Sequence, residues 1–429
     1  MSIRNYTRTD SSYFNSSNAL SIRTVTLIYP NLNEEVIYID EYSLDEIIDT
    51  INCILKYCVL MSPVMKIQWF KDVYYVKWQL GIAKIEKDLA SFACAVQTFN
   101  IKIKKAIKQG LIIGNCGSTL PQNLENRMNS EEYNTEFAKI HTIHSDLILH
   151  IYNQSYKRTI APIALCLTEY EPFSDGVYGE VNFNFVLRMI SAVNLKRKDI
   201  FIDLGCGIGN VLCQVAGITQ CTCYGIEMMN NVANLGLELK SEFKKRMSCY
   251  NQYCGYIQLL KGDIFEHQGI VELLKQATVV FVNNAAFSPE LNAKLEELFW
   301  FLQDGSTIVS LNSFVRLRKD NRNIELRSRI NDRSIEHIEC ILHLQEMTYC
   351  EDDVSWTNAP GSYFIQRVDR QPLIAYFKEI AAFELQNENT LINVNEDHES
   401  TFNDAIPPQI HLRKDLDILL ESNLSVLIE

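Results

Sequence analysis

The sequence predicts an α/β protein, a parallel sheet with helices on both faces, preceded by a small helical N-terminal domain. Three observations carry that expectation. From about Asp199 short β-branched runs alternate with helical stretches, and parallel neighbours need such crossovers. A glycine-rich turn, Asp203-Leu204-Gly205-Cys206-Gly207-Ile208-Gly209, stands where the first of those runs meets its helix. Upstream, apolar residues recur at helical spacing instead.

Taken in order, residues 1–22 are rich in Ser, Asn and Thr and are expected to be a flexible arm. A helix opens at Ser43 with Glu46 completing a capping box, and Leu44, Ile47, Ile48, Ile51, Ile54, Leu55 and Cys58 form its apolar face. A second, basic and apolar, covers Lys87–Gln109. Gly110, Gly114, Gly117 and Pro121 then mark a loop. A third helix fits Glu136–Tyr152, with Phe137, Ile140, His144, Leu147 and Ile151 along one side. The helical domain is therefore drawn over 23–169. Strands are expected at Ile200–Leu204, Thr222–Glu227, Ile257–Lys261, Val279–Asn283 and Thr307–Asn312. Helices should fill Asn210–Ile218, Asn231–Cys249, Gln268–Lys275 and Glu290–Leu302. His337–Tyr349 and Ser362–Val368 have no helix between them and read as an antiparallel hairpin at the sheet edge. The sheet domain is drawn over 170–383. Residues 384–429, with ten acidic and two basic side chains, read as an acidic tail.

Composition limits the function classes. With 429 residues, 47% hydrophobic and 22% charged, the chain is globular and large enough for two or three domains. A net charge of −13 argues against coating nucleic acid by bulk charge, so direct DNA binding should be weak. No apolar run approaches the roughly 18 residues of a membrane span, and the polar start lacks a secretory h-region. Thirteen cysteines, an odd number without a C-x-x-C pair, read as small buried hydrophobes in a reducing, intracellular compartment, with no metal site expected.

The glycine turn has G-x-G-x-G spacing rather than the dinucleotide G-x-G-x-x-G, and an acid precedes it. That acid would repel a pyrophosphate but pair with an α-ammonium group. Glu227 ends the second strand, where a carboxylate can accept both ribose hydroxyls. Asp263 ends the third, in position to accept from an adenine amino group. Singly, each acid reads equally well as a helix cap or a surface charge. Together with the glycine loop they favour S-adenosyl-L-methionine as cofactor.

More specific motifs surround this core. Tyr170-Glu171-Pro172-Phe173-Ser174 is followed by Val177-Tyr178-Gly179-Glu180, then by the glycine turn. Phe281-Val282-Asn283-Asn284-Ala285-Ala286-Phe287 comes next, and later Val354-Ser355-Trp356-Thr357 with Ser362-Tyr363. In this order the set resembles the DOT-one (disruptor of telomeric silencing) histone lysine N-methyltransferases, over residues 135–377 strongly and 30–134 weakly. The resemblance implies a Rossmann-like sheet of seven strands, the S-adenosylmethionine-dependent methyltransferase fold. It implies that Tyr178, Gly179 and Glu180 fold over the methionine part of the cofactor, with Asp203, Gly205, Gly207 and Asn210 forming its binding turn. Glu227 would hold the ribose, and Asp263 with Ile264 the adenine, at a position where the family commonly has an aromatic residue. Asn283 and Phe287 would wall the transferred methyl, and Phe173, Trp356 and Tyr363 the lysine channel. Core packing is the alternative for Trp356 and Tyr363.

The resemblance further implies a monomeric nuclear enzyme acting on a lysine of the globular core of histone H3 in the nucleosome. The family's lysine-rich DNA-holding segment has no counterpart here. Arg316 to Arg333 carries seven basic residues against Asp320, Glu325 and Asp332. Within it, Asn331-Asp332-Arg333 resembles the family loop whose arginine enters the acidic patch of the histone octamer. Other readings stay open: a methyltransferase for a non-histone protein, or a cofactor-impaired nucleosome-binding relative. A class acting on planar amines is disfavoured, because its Asn-Pro-Pro-Tyr motif is here Asn283-Asn284-Ala285-Ala286-Phe287.

Overall fold

Two short strands, β1 (Thr24–Ile28) and β2 (Glu34–Tyr38), pair antiparallel, with Thr24 opposite Tyr38 and Ile28 opposite Glu34. They belong to a computed structural model that describes residues 24–59, 75–112, 143–163, 179–315, 338–379 and 382. The sequence reading assigned this hairpin no element. Only β1 buries side chains in strength, Val25, Leu27 and Ile28, so the alternation is too brief to stand out.

Helix α1 (Glu41–Cys53) continues into a π-helical turn, Ile54–Cys58. Its expected capping box is shifted by one partner. Asp40 N donates to Ser43 Oγ at 2.8 Å and Ser43 N to Asp40 Oδ1 at 2.7 Å, while Glu46 turns away to pair with Arg158 at 2.5 Å. Residues 75–85 are helical, and α2 (Leu89–Lys108) is capped by Asp88, which accepts from Ala90 N and Ser91 N. Asn100 of α2 fastens β1 by accepting from Ile28 N at 3.0 Å and donating to Thr26 O at 2.7 Å. The third helix, α3 (Ser145–Thr159), extends beyond the expected end at Tyr152; Phe137 and Ile140 lie outside the described residues. A further helix, α4 (Phe183–Val193), was not anticipated.

The alternating region follows the sequence closely: β3 (Ile200–Leu204), α5 (Asn210–Thr219), β4 (Thr222–Glu227), α6 (Asn230–Cys249) and β5 (Ile257–Lys261). Then come α7 (Ile270–Leu274), β6 (Val279–Val282), α8 (Pro289–Phe299) and β7 (Thr307–Ser310). A 3₁₀ turn (Ile338–Ile341) leads into β8 (Leu342–Tyr349) and β9 (Gly361–Val368). The seven strands lie in the order β5-β4-β3-β6-β7-β9-β8. β9 enters antiparallel between β7 and β8, and the other neighbours are parallel. This is the expected Rossmann-like sheet. Its order reverses direction between β3 and β6, the switch point outside whose carboxyl ends ligands bind in such sheets.

One apolar cluster runs from Val25 through α1 to α3 to the sheet residues Phe201, Phe281 and Ile365. α3 packs along α5 and α6. A buried polar group crosses this contact: Arg246 of α6 forms a two-pronged bond to Glu35 and donates to Tyr29 Oη at 2.8 Å. Burial raises the Glu35 carboxyl, but Arg246 and Arg158 outweigh it and hold the group at about 2. Cys58, Cys206, Cys213, Cys221, Cys223, Cys249 and Cys340 are buried. Among the described residues no helix is long and apolar enough to cross a membrane. Residues through Arg370 form one compact body; a second begins at Gln371 and includes a helix over 371–379.

Candidate functional site

The site grows from the turn between β3 and α5. Gly205, Gly207 and Gly209 have φ of 78°, 56° and 73°, left-handed values that side chains with a Cβ rarely tolerate. The turn is drawn onto β4, since Gly205 N and Cys206 N both donate to Ile226 O at 3.0 Å. On β4, Gly225 pairs with Asp203, and a Cβ there would lie 2.4 Å from Leu212 Cδ1 and 2.7 Å from Cys206 Sγ. The close approach brings two carboxylates together. Glu227 is oriented by Gly207 N (2.9 Å to Oε2) and Met229 N (2.8 Å to Oε1).

Asp203 is 2% exposed. Burial, reinforced by the neighbouring Glu227 charge, pushes its carboxyl up to about 8. Burial raises Glu227 as well, against the backbone N–H groups that stabilise its ionised form. Among the described residues no basic side chain forms an ion pair with either acid. Asp263, after β5, folds its own loop by accepting from Phe265 N at 2.8 Å.

Residues 179–182 form a strap across the opening. Its inner side is held by Asn283 Nδ2, which donates to Gly179 O at 3.0 Å, and by Asn210 Nδ2, which donates to Val181 O at 3.3 Å. Its outer side bridges to Val354, and Glu180 and Ser355 exchange two hydrogen bonds of 2.8 Å. Asn283 Oδ1 is buried without a hydrogen-bond partner among the described residues. Beside it Asn284, 1% exposed, ties β6 to β7: its Oδ1 accepts from Leu311 N (3.0 Å) and Asn312 N (2.8 Å), and its Nδ2 donates to Asn292 Oδ1 (2.8 Å) and Asn312 O (3.1 Å).

These elements enclose a cavity of about 320 Å³. Gly179, Glu180, Asp203, Gly205, Gly207, Asn210, Glu227, Asp263, Ile264, Asn283 and Phe287 all line it. Trp356 and Tyr363 are not part of that lining. The Trp356 ring lies on Gly179, where a Cβ would come 2.8 Å from its Cε3, and the residue is 40% exposed. Tyr363 is buried in the apolar cluster with its ring 5.0 Å from that of Phe185, as the core-packing alternative has it. Tyr178, Phe173 and the whole 316–333 segment including Arg333 lie outside the described residues.

The sequence reading missed Met228, Met229, Phe265 and Lys294, which also line the cavity. Phe265 supplies an aromatic ring one residue after Ile264, and Lys294 Nζ stands 5.5 Å from its centroid. Adjacency to Glu227 and Asp263 could have flagged the first three. Nothing local marks Lys294, which arrives on α8.

A carboxylate-walled pocket at the switch point, roofed by a strap and carrying an unpartnered buried acceptor, suits a ligand that brings both a cation and hydroxyl donors. Fold and site together define the S-adenosylmethionine-dependent methyltransferase class of α/β sheets. Residues 156–368 match the family described as "Histone methylation protein DOT1". It is 36% identical over 280 residues to a "Histone-lysine N-methyltransferase, H3 lysine-79 specific" of Gibberella zeae, covering 65% of this chain and 50% of that one. A protein of the same description from Aspergillus fumigatus is 31% identical, covering 70% and 54%. One from Drosophila melanogaster is 36% identical, covering 55% and 12%. The chain thus spans about half the length of the fungal relatives it matches. An RNA methyltransferase of Salinibacter ruber solved with S-adenosyl-L-homocysteine aligns with 44% of this chain and 92% of its own, at 19% identity and a TM-score of 0.28; the strand order carries the fold without it.

Proposed function

We propose that the chain transfers a methyl group from S-adenosylmethionine to a lysine on the globular core of histone H3, acting on nucleosomes in the nucleus. One observation carries the reading: a segment that matches the DOT1 family lines a carboxylate-walled cavity at the carboxyl edge of its sheet. The lysine named in its relatives' descriptions, H3 lysine-79, is the proposed target.

The residues present fit the cofactor. Asp203 would hold the α-ammonium, Glu227 both ribose hydroxyls and Asp263 the adenine amino group. The unpartnered Asn283 Oδ1 supplies a further acceptor. When bound, the cofactor supplies an electrophilic methyl on a sulfonium. The chain must then deliver a neutral amine. With an unperturbed pKa of about 10.4, roughly one lysine in a thousand is neutral at pH 7.4, a cost of about 4 kcal/mol. An apolar, aromatic approach disfavours the ammonium and lowers that cost. Phe287 beside Gly205 and Trp356 over Gly179 are the aromatic groups available, with Phe173 and Tyr363 as the further proposed walls. What remains is alignment of the amine with the methyl, a proximity effect.

Docking is proposed to rest on Arg333 in the 316–333 segment, entering the acidic patch of the octamer, with weak direct DNA contact and a monomeric enzyme. The test offers radiolabelled cofactor to nucleosomes, free histones and free nucleic acid in parallel. Label should enter H3 of nucleosomes and disappear when the target lysine is replaced by arginine. Label on nucleic acid, or on H3 irrespective of that lysine, overturns the reading.

A further inference from the structure

The turn at residues 350–356 is organised around a buried carboxylate that is not part of the cavity lining. Asp353 is 1% exposed; its Oδ2 accepts from Cys350 N at 2.7 Å and from Arg188 Nε at 3.0 Å. Arg188 sits on α4, and the start of that helix is fastened to the same turn. Asn182 N donates to Asp353 O at 2.8 Å and Asn182 Nδ2 to Asp352 O at 2.6 Å. The two residues after Asp353 and Val354 are those that reach the strap. Ser355 exchanges backbone and side-chain bonds with Glu180, and Trp356 covers Gly179. Tyr363 stands close enough to feel both members of the pair: burial raises its hydroxyl, Arg188 opposes and Asp353 adds to the rise.

The strap is therefore held between two sets of side chains with different duties. Asn210 and Asn283 grip its inner side from the cavity wall, and the 350–356 turn grips its outer side. Neither Arg188 nor Asp353 lines the cavity. We propose that Arg188 and Asp353 are positioning residues that set the turn, and through Ser355 and Trp356 lock the strap over the cofactor and form the aromatic lysine approach in the same act. This deepens the cofactor reading above and rests on it. It also changes what Trp356 does: its ring supports the strap as well as facing the incoming amine, so cofactor affinity and substrate use are coupled through one loop.

The test is a double-mutant cycle on Arg188→Met and Ser355→Ala, read as calorimetric affinity for S-adenosyl-L-homocysteine without nucleosomes. Arg188 is half-exposed, so its loss should spare the fold, which the unfolding midpoint checks. Each single variant should weaken binding about tenfold, and the double variant hardly more than the weaker single, because residues acting on one loop are non-additive. Arg188→Lys should recover part of the affinity, since an ammonium can still reach Asp353. With nucleosomes at saturating cofactor, Arg188→Met should raise KM for the nucleosome as well as lower kcat. Wild-type affinity in Arg188→Met, strictly additive losses, or a fall in midpoint that Arg188→Lys does not rescue would overturn the proposal alone. No binding by the wild-type chain would overturn it together with the cofactor reading.

Discussion

At the scale of single residues, the protonation of Asp203 makes the sharpest test of the site. Buried beside Glu227 and held at about 8, it is mostly protonated in the free protein at neutral pH. Pairing with an α-ammonium requires the ionised form, so binding should expel a proton. The sign follows: a raised acid favours the folded free protein most below its ordinary value of 3.8, and that contribution declines as pH rises through 8. Cofactor affinity should move the other way, rising from pH ~6 toward pH ~8 and falling above it as the ligand's α-ammonium loses its proton. Calorimetric titrations in buffers of different protonation enthalpy should give different apparent heats; equal heats and flat affinity would remove Asp203 from the ammonium site. Asp203, Glu227 and Asp263 were legible because strand ends can be read from β-branched runs. Lys294 was not, because what brings it to the cavity is the path of α8.

At the scale of elements, the hairpin β1–β2 is attached to the sheet body through Arg246. Its side chain is 3% exposed and serves Glu35, Tyr29 and Glu242 at once. Arg246→Met would remove the two-pronged donor from the Glu35 carboxylate and leave it Tyr29 Oη (2.7 Å) and the longer Arg158 contact (3.4 Å), at a cost of about 3 kcal/mol, measurable as a lowered denaturant midpoint. The depressed Glu35 gives the pH dependence. Its stabilisation is complete above the ordinary value of 4.5 and is lost as pH falls through about 2. The wild type should therefore lose more stability than Arg246→Met between pH ~4.5 and pH ~2; parallel curves would refute the assignment. The sheet strands and their crossovers were readable because their pattern repeats. The hairpin escaped because five residues of strand are too few to show a period; α4 does carry a helical apolar face, with Phe183, Val186, Met189 and Ile190 turned to the core, and was legible though missed. The Asp40–Ser43 cap was missed by matching Ser43 to the acid after it instead of the one before.

For the whole molecule, charge bears on how it would meet the proposed nucleosome substrate. Of the net −13, residues 384–429 contribute −8 (two basic, ten acidic). Attraction to DNA at a distance should be poor, and docking should depend on short-range contacts. Deleting 390–429 should leave nucleosome methylation unchanged or raise it slightly at low salt, with cofactor affinity untouched; a sharp loss would assign that segment a docking role. Across the whole chain, the buried knot at Asn284 also limits what the fold can become. Its side chain serves two backbone N–H groups of the β7 exit, an acceptor there and Asn292 of α8. A proline at that position, the residue that planar-amine methyltransferases use after the same strand, would strip all four bonds at once. An amide at this position is thus a joint of the scaffold, and Asn284→Pro should unfasten β6 from the β7 exit and from α8 together.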